Sequence, residues 1–309
     1  MTTPAGIRWA AATAAAATAA AAGAAVIIPA RRGSRRFPAK MLASICGKPL
    51  IVHTLRRSQA AGCVRRVIVA TDDDEIAHVV RDAGGEAVMT SVHCASGTER
   101  VAEASRQLSP EISVVINVQG DEPLVDPVHI DRMASYLLNT ATHSQETELV
   151  TLATPLTSRE EFLSPNVVKT VAGTHPAAGV LGSGRLRRAL YFSRAPIPFA
   201  STGDAKWFAA DAVQDDAAKG KGAQAGACRS PLRHVGIYGF RRAFLDTLHT
   251  LPASWLQEAE DLEQLRWLEA GHLISLLIVD AAAPDVNEPK DLGRVERFLQ
   301  KERNGQEIA

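Results

Sequence analysis

The run Asn117-Val118-Gln119-Gly120-Asp121-Glu122-Pro123 sets an amide, a glycine and two acids directly after the apolar stretch Ile112–Ile116. In an open α/β sheet, ligands collect just beyond the carboxyl ends of strands. An aspartate in that place can hold Mg²⁺, and a magnesium site implies phosphate chemistry. Gly-Asp-Glu-Pro is also good turn chemistry, so the same string is compatible with a plain surface turn. A second stretch weights the reading toward phosphate. Pro29-Ala30-Arg31-Arg32-Gly33-Ser34-Arg35-Arg36-Phe37-Pro38-Ala39-Lys40 follows the apolar run Val26-Ile27-Ile28. A glycine-containing loop there exposes backbone N–H groups, and its cations can neutralise a triphosphate. It is neither G-x-G-x-x-G nor G-x-x-x-x-G-K-[ST], which disfavours dehydrogenases and P-loop ATPases.

The elements that must position these loops alternate as short apolar strands and amphipathic helices, the pattern of a βαβ sheet. The sequence predicts strands at Ala25–Pro29, Val67–Ala70, Ala87–Met89 and Val114–Val118. Between and after them come helices at Pro49–Ala61, from the Asp72-Asp73-Asp74 cap to Ala83, at Gly97–Leu108, and from Pro127 to about Leu138. Thr98 is the expected cap of the third helix. The second half is less regular, with strands at Leu149–Ala153, Val167–Val171, Ala189–Phe192, Val235–Phe240 and Leu273–Val279. Helices are expected at Glu258–Glu269 and Pro289–Lys301. On the first of these Glu260 and Gln264 would share a face, with Glu263 beside them and Leu262, Leu265 and Leu268 turned to the core. Gly173–Gly184 and Ser201–Ala227 lack apolar periodicity and read as inserted surface loops.

The chain has 309 residues, with 34 Lys and Arg balanced by 34 Asp and Glu, so no global field calls for nucleic acid. The charge is unevenly placed, however. No acid precedes Asp72, while Arg31, Arg32, Arg35, Arg36, Lys40 and Lys48 all do, as befits a polyphosphate site. The four cysteines form no C-x-x-C pair, so reduced thiols in a cytoplasmic compartment are expected. Residues 1–24 are an alanine-rich leader expected to stand outside the fold, with organelle targeting or weak membrane anchoring as its open alternatives. Residues 25–303 are expected to form a single domain. In it, 25–140 is the nucleotide half, 141–280 a smaller, irregular sugar-binding and dimerisation half, and 281–303 a return to the nucleotide half.

Pro29-Ala30-Arg31, Ser34, Arg36, Pro38 and Lys40 resemble the activating loop of sugar nucleotidyltransferases. Ser96-Gly97-Thr98-Glu99-Arg100, Asn117–Pro123, Tyr191-Phe192-Ser193-Arg194, Arg233–Gly239 and Leu262-Glu263-Gln264-Leu265 are similar, in order, to strings of the 3-deoxy-manno-octulosonate (Kdo) cytidylyltransferases. The resemblance runs from about Val26 to Phe298. It implies a Rossmann-like, mostly parallel sheet of the nucleotide-diphospho-sugar transferase type, working as a homodimer. The implied reaction joins Kdo to CTP, giving CMP-Kdo and pyrophosphate, with Mg²⁺ as cofactor.

Carried over residue by residue, the resemblance assigns Pro29, Ala30, Arg31, Ser34, Arg36, Lys40, Ser96, Gly97, Arg100 and Gln119 to the nucleotide. Arg31, Lys40 and Asp121 would carry the chemistry. Gln119, Arg194, His234, Tyr238, Glu260, Glu263 and Gln264 would hold the sugar acid, Arg194 through its two-pronged guanidinium. Asp121 and Asn287 would hold the metal. Taken alone, Arg36 reads equally as a solvated charge and His234 as a structural histidine.

Two departures stand out. The family has glycine where this chain has Ala39, harmless provided φ is negative there. It also has aspartate at Asn287 in Val286-Asn287-Glu288-Pro289. Asparagine can coordinate Mg²⁺ through its carbonyl but removes one charge, and the nearby Asp285 could substitute after a small backbone shift. The alternatives are therefore a cytidylyltransferase for another acidic sugar and a weakly active nucleotide-binding paralogue. A glycosyltransferase would instead offer Asp-x-Asp where this chain has Asp121-Glu122.

Overall fold

A computed structural model describes residues 23–33, 37–140, 148–173, 185–201, 203, 207–208 and 230–304. Ser34 and Arg36 lie outside the described residues, as do most of the leader and most of the two inserted stretches. Of the second insertion, Trp207 and Phe208 are described, and both rings stand near Phe162, 5.6 and 5.8 Å between centroids.

The first half is built as the periodicity predicts. Strand β1 (Gly23–Ala30) is wholly buried. Its residues alternate between two cores, Val26 and Ile28 meeting one and Ala25 and Ile27 the other. A strand buried on both faces belongs in the middle of a sheet, and β1 lies there, parallel to β4 (Val64–Thr71) on one side and β6 (Ile112–Asn117) on the other. β5 (Glu86–Met89) adds in parallel outside β4, and β2 (Ser44–Ile45) and β3 (Lys48–Pro49) form a separate small hairpin. Helix α1 (Leu50–Gln59) buries Leu50, Ile51 and Leu55. Helix α2 (Asp74–Asp82) starts where Asp73 accepts the Ile76 N–H at 2.9 Å. Helix α3 (Gly97–Ser105) is capped by Ser96, not by Thr98. Helix α4 (Pro127–Thr140) closes this half.

The second half holds β7 (Leu149–Pro155), the short α5 (Arg159–Leu163), β8 (Lys169–Ala172), β9 (Leu186–Ser193) and β10 (Leu232–Arg241). After them come α6 (Arg242–Thr247), α7 (Trp255–Glu260), α8 (Gln264–Glu269), β11 (Ile274–Ile278) and α9 (Leu292–Arg303). The nine-stranded sheet runs β5-β4-β1-β6-β10-β7-β11-β9-β8, and β8 also pairs with the start of β10. The last five strands thus form a closed ring of pairings. β10 lies antiparallel to β6, β7 and β8, and β9 to β11 and β8, so the sheet expected to be mostly parallel is mixed, its parallel pairs lying among the first four strands and between β7 and β11.

Two expectations need correction. The first strand begins at Gly23, so the last two residues assigned to the leader, Gly23 and Ala24, belong to the sheet. The helix expected over Glu258–Glu269 is two helices. Asp261 between them takes the left-handed conformation, φ 53°, ψ 49°, which ends α7. Glu260 and Gln264 therefore do not share one helical face. The leucine spacing survives the break, because Leu262 and Leu265 are still buried beside Trp267.

Candidate active site

The carboxyl ends of β1 and β6 open on a cleft of about 760 Å³. The loop after β1 turns through Ala39, which has φ 53° and is left-handed, contrary to the negative φ that a side chain there requires. This turn sends Lys40 inward. Its ammonium is buried and donates to Asp121 Oδ2 at 2.5 Å and to the Val286 carbonyl at 2.9 Å. Val286 in turn donates its N–H to the Asp121 carbonyl at 3.0 Å, so the segment before α9 is docked on the Asp121 turn. Gly120 permits this packing, since a Cβ there would stand 2.8 Å from Met41 Sδ and 3.0 Å from the Pro29 carbonyl.

Asp121 keeps part of its carboxylate exposed to the cleft. Glu122 is buried behind it, and burial, then the charges of Asp285 and Asp121, hold its carboxyl well above the usual range. Asn287 does not line the cleft. Its amide donates to Asp285 Oδ2 at 2.7 Å and its backbone N–H is taken by Asp291. Among the described residues no three His, Cys, Asp or Glu side chains group as a metal site. The donor set is one carboxylate at Asp121 with the Asn287 segment docked beside it. That suits Mg²⁺, which usually takes one or two carboxylates and completes its shell from substrate phosphates and water.

Ser96 and Gly97, at the start of α3, form one wall with Pro29, Ala30, Arg31 and Gln119. Gln119 donates to Asn117 Oδ1 at 3.1 Å. Arg100 reaches the cleft from α3 with its guanidinium already engaged by Thr90 Oγ1 and by Asp72 Oδ2, the latter at 2.8 Å. Cys94 also lines the cleft. Burial and its hydrogen bond to Glu103 push the thiol up to about 11, so it is no nucleophile at neutral pH.

A recess of about 650 Å³ continues from this cleft, sharing Arg31, Gln119 and Arg194 with it and ending at His234, Tyr238, Glu263 and Gln264. Arg194 spends three of its five N–H donors on the carbonyls of Glu260, Pro165 and Asp261. Glu260 does not line the recess. Its carboxylate accepts from Ser193 Oγ and the Arg194 N–H, fixing the end of β9. Lys169, fully buried, clamps the same corner by donating to the carbonyls of Ser164, Val167 and Arg194.

Glu263 accepts from Thr98 Oγ1 at 2.5 Å, tying the start of α8 to α3, and burial raises its carboxyl. Tyr238 packs edge-on against Trp267, 5.2 Å between ring centroids, and burial raises its phenol well above the ordinary range. Gln264 is buried, and its Nε2 makes no hydrogen bond among the described residues.

Comparison with known proteins interprets this arrangement. The family model described as "Cytidylyltransferase" matches residues 25–274. The chain is 41% identical over 280 residues to the 3-deoxy-manno-octulosonate cytidylyltransferase of Syntrophobacter fumaroxidans, covering 90% of this chain and 98% of that one. It is 40% identical over 273 residues to that of Syntrophotalea carbinolica, covering 88% and 97%. The chain belongs to the 3-deoxy-manno-octulosonate cytidylyltransferase family. A solved CMP:2-keto-3-deoxy-manno-octonic acid synthetase complexed with CTP superposes with a TM-score of 0.74 at 33% identity, covering 91% of this chain and all of that one. The fold extends further, to a 4-diphosphocytidyl-2C-methyl-D-erythritol synthase from Anaerococcus prevotii with a TM-score of 0.52 at 12% identity, 92% of this chain and 99% of that one being covered.

Within the family fold, some residues that hold the site carry little or no motif signal. Asp72 and Thr90 hold Arg100, and Lys169 holds the Arg194 corner. Asp72 had a visible flag as the first of three consecutive aspartates, and Thr98, which holds Glu263, stood within the Ser96–Arg100 string but was read as a helix cap.

Proposed function

We propose that this protein transfers CMP from CTP to Kdo, releasing pyrophosphate. The observation that carries the reading beyond family membership is the buried Gln264 amide, whose Nε2 makes no hydrogen bond among the described residues, at the end of a recess continuous with a cationic cleft. A buried donor left open costs about 1–3 kcal/mol, which a polyhydroxy acid in the recess would recover. CTP would lie with its base near Ser96, Gly97 and Arg100 and its phosphates between Arg31 and Lys40. With Arg100 held by Asp72 and Thr90, it would meet the base as a fixed donor. The anomeric hydroxyl of the sugar would attack the α-phosphorus in line, its O–P bond forming as the bond to pyrophosphate breaks. Such catalysis is positioning and electrostatics more than covalent work.

Asp121, with Asn287 beside it, is the proposed magnesium position, where the ion would offset charge on the phosphate oxygens. The Arg194 guanidinium, which also stands 3.7 Å from the Asp261 carboxylate, would turn its two remaining N–H groups to the sugar carboxylate. Glu260 would act one step removed, by holding Arg194. A homodimer, a cytoplasmic setting and no nucleic-acid partner complete the reading. Among the described residues no helix is long and apolar enough to cross a membrane. The test is pyrophosphate release with CTP, Mg²⁺ and a panel of sugar acids. Turnover confined to a sialic acid would redirect the acceptor, and CTP binding without turnover of any acid would leave only a nucleotide-binding paralogue.

A further inference from the structure

β10 and β7 are not in continuous register. Val235 stands opposite Leu152 and Tyr238 opposite Thr151, so Gly236 and Ile237 have no partners between them. A bulge of this kind frees carbonyls from the ladder, and a buried carbonyl needs a donor. Thr151 supplies it. Its hydroxyl is fully buried, with Ile237 O at 2.8 Å, Val235 O at 3.3 Å and His234 Nε2 at 2.9 Å.

The hydroxyl has one proton. Two oxygens 2.8 Å apart are held together only with a proton between them. That proton therefore goes to the bulge, and Thr151 meets His234 as an acceptor. Nε2 must then carry the imidazole proton. The other ring nitrogen, Nδ1, makes no hydrogen bond among the described residues, and His234 lines the recess. Phe192 packs edge-on against the ring at 5.0 Å and Tyr238 lies at 5.4 Å between centroids, which restrains its rotation. Burial, reinforced by the charge of Arg233, lowers His234 to about 3, so the ring is neutral at working pH.

We propose that Thr151 is a positioning residue that locks His234 as its Nε2–H tautomer, so that Nδ1 accepts a hydrogen bond from a hydroxyl of the sugar acid and repels its carboxylate. The inference deepens the reading that the recess takes the sugar, and rests on it. It divides the labour there: donors (Arg194, Gln264) for the carboxylate, one bare acceptor for a hydroxyl. An analogue lacking that hydroxyl should bind worse than one modified elsewhere.

The tautomer is read directly by ¹⁵N correlation spectroscopy of the ring-labelled, full-length protein without substrate. Protonated Nε2 and bare Nδ1 are expected, persisting in Thr151→Ser and lost or mixed in Thr151→Val. In kinetics, Thr151→Val should raise KM for the sugar acid about tenfold, leaving kcat and the KM for CTP within about twofold, and Thr151→Ser should restore it. A proton on Nδ1 in the wild-type protein overturns the proposal with no variant needed. So does a Thr151→Val protein with unchanged tautomer and unchanged sugar KM. If no sugar acid turns over while the tautomer is as expected and depends on Thr151, the lock stands and the proposed function falls.

Discussion

Lys40 is the residue on which the proposed phosphate end of the site depends. Its ammonium is buried between Asp121 and the Val286 carbonyl, so Lys40→Met leaves a carboxylate without its partner and the cleft without one of its buried cations. Loss of one such electrostatic group is expected to cut kcat about 100-fold, measured by pyrophosphate release.

Asn287→Asp has two opposed effects. Facing Asp285 at what is now a 2.7 Å hydrogen bond, a new carboxylate meets like charge, so the metal-free protein should lose about 1 kcal/mol. Mg²⁺ should restore the loss, and half-saturation in Mg²⁺ should fall while turnover is kept or improved. Thermal melts with and without Mg²⁺, beside activity titrations, check both signs.

His234 gives a pH signature. The folded ring stays neutral down to about 3 while the unfolded ring protonates near 6.5, so the unfolded chain binds the extra proton between these values. Stability should therefore fall as pH drops below 6.5, by about 2 kcal/mol at pH 5 from this group. His234→Asn should flatten that slope in denaturant titrations.

These contacts could not be read in advance. Lys40 and Val286 are 246 residues apart in sequence, and which carbonyl a lysine finds depends on the topology. The residues that line the cleft and recess were legible as strings; the side chains that hold them, such as Thr90, Lys169 and Thr151, were not.

Among the elements, the loop after β1 carries a visible strain. Ala39 sits at φ 53°, ψ 27°, where a Cβ costs about 1–2 kcal/mol and glycine nothing. Ala39→Gly, after the greater freedom of glycine in the unfolded chain, should raise the unfolding free energy by up to about 1 kcal/mol, visible as a higher denaturation midpoint.

The first-half strands and helices were legible because each apolar run is short and bounded by Gly, Pro or an aspartate cap. The α7–α8 break was hidden by Leu262, Leu265 and Leu268, whose three-residue spacing looks the same across a kink. The positive φ of Asp261 left no mark, since aspartate is ordinary in helices' first turns. The bulge in β10 had only Gly236 as a hint, inside a string that otherwise alternates like a strand.

At the scale of the whole molecule, β10 joins the two halves. Its start pairs with β8 and its end with β6, while β7 pairs with it on both sides of the bulge. Opening either half therefore strips partners from the other, and equilibrium unfolding of the described domain should be a single transition. Coincident fluorescence and circular-dichroism curves would agree with this; two separated midpoints would not.

The same strand arrives late. During synthesis β6, β7 and β8 leave the ribosome long before residue 232, and until β10 follows each has an edge with no neighbour. The nascent chain thus waits, with apolar strands uncovered, for a segment that begins only at Leu232. Fragments ending before β10 should aggregate or recruit chaperones, and supplying the C-terminal portion in trans should rescue them, since that portion carries the missing centre of the sheet.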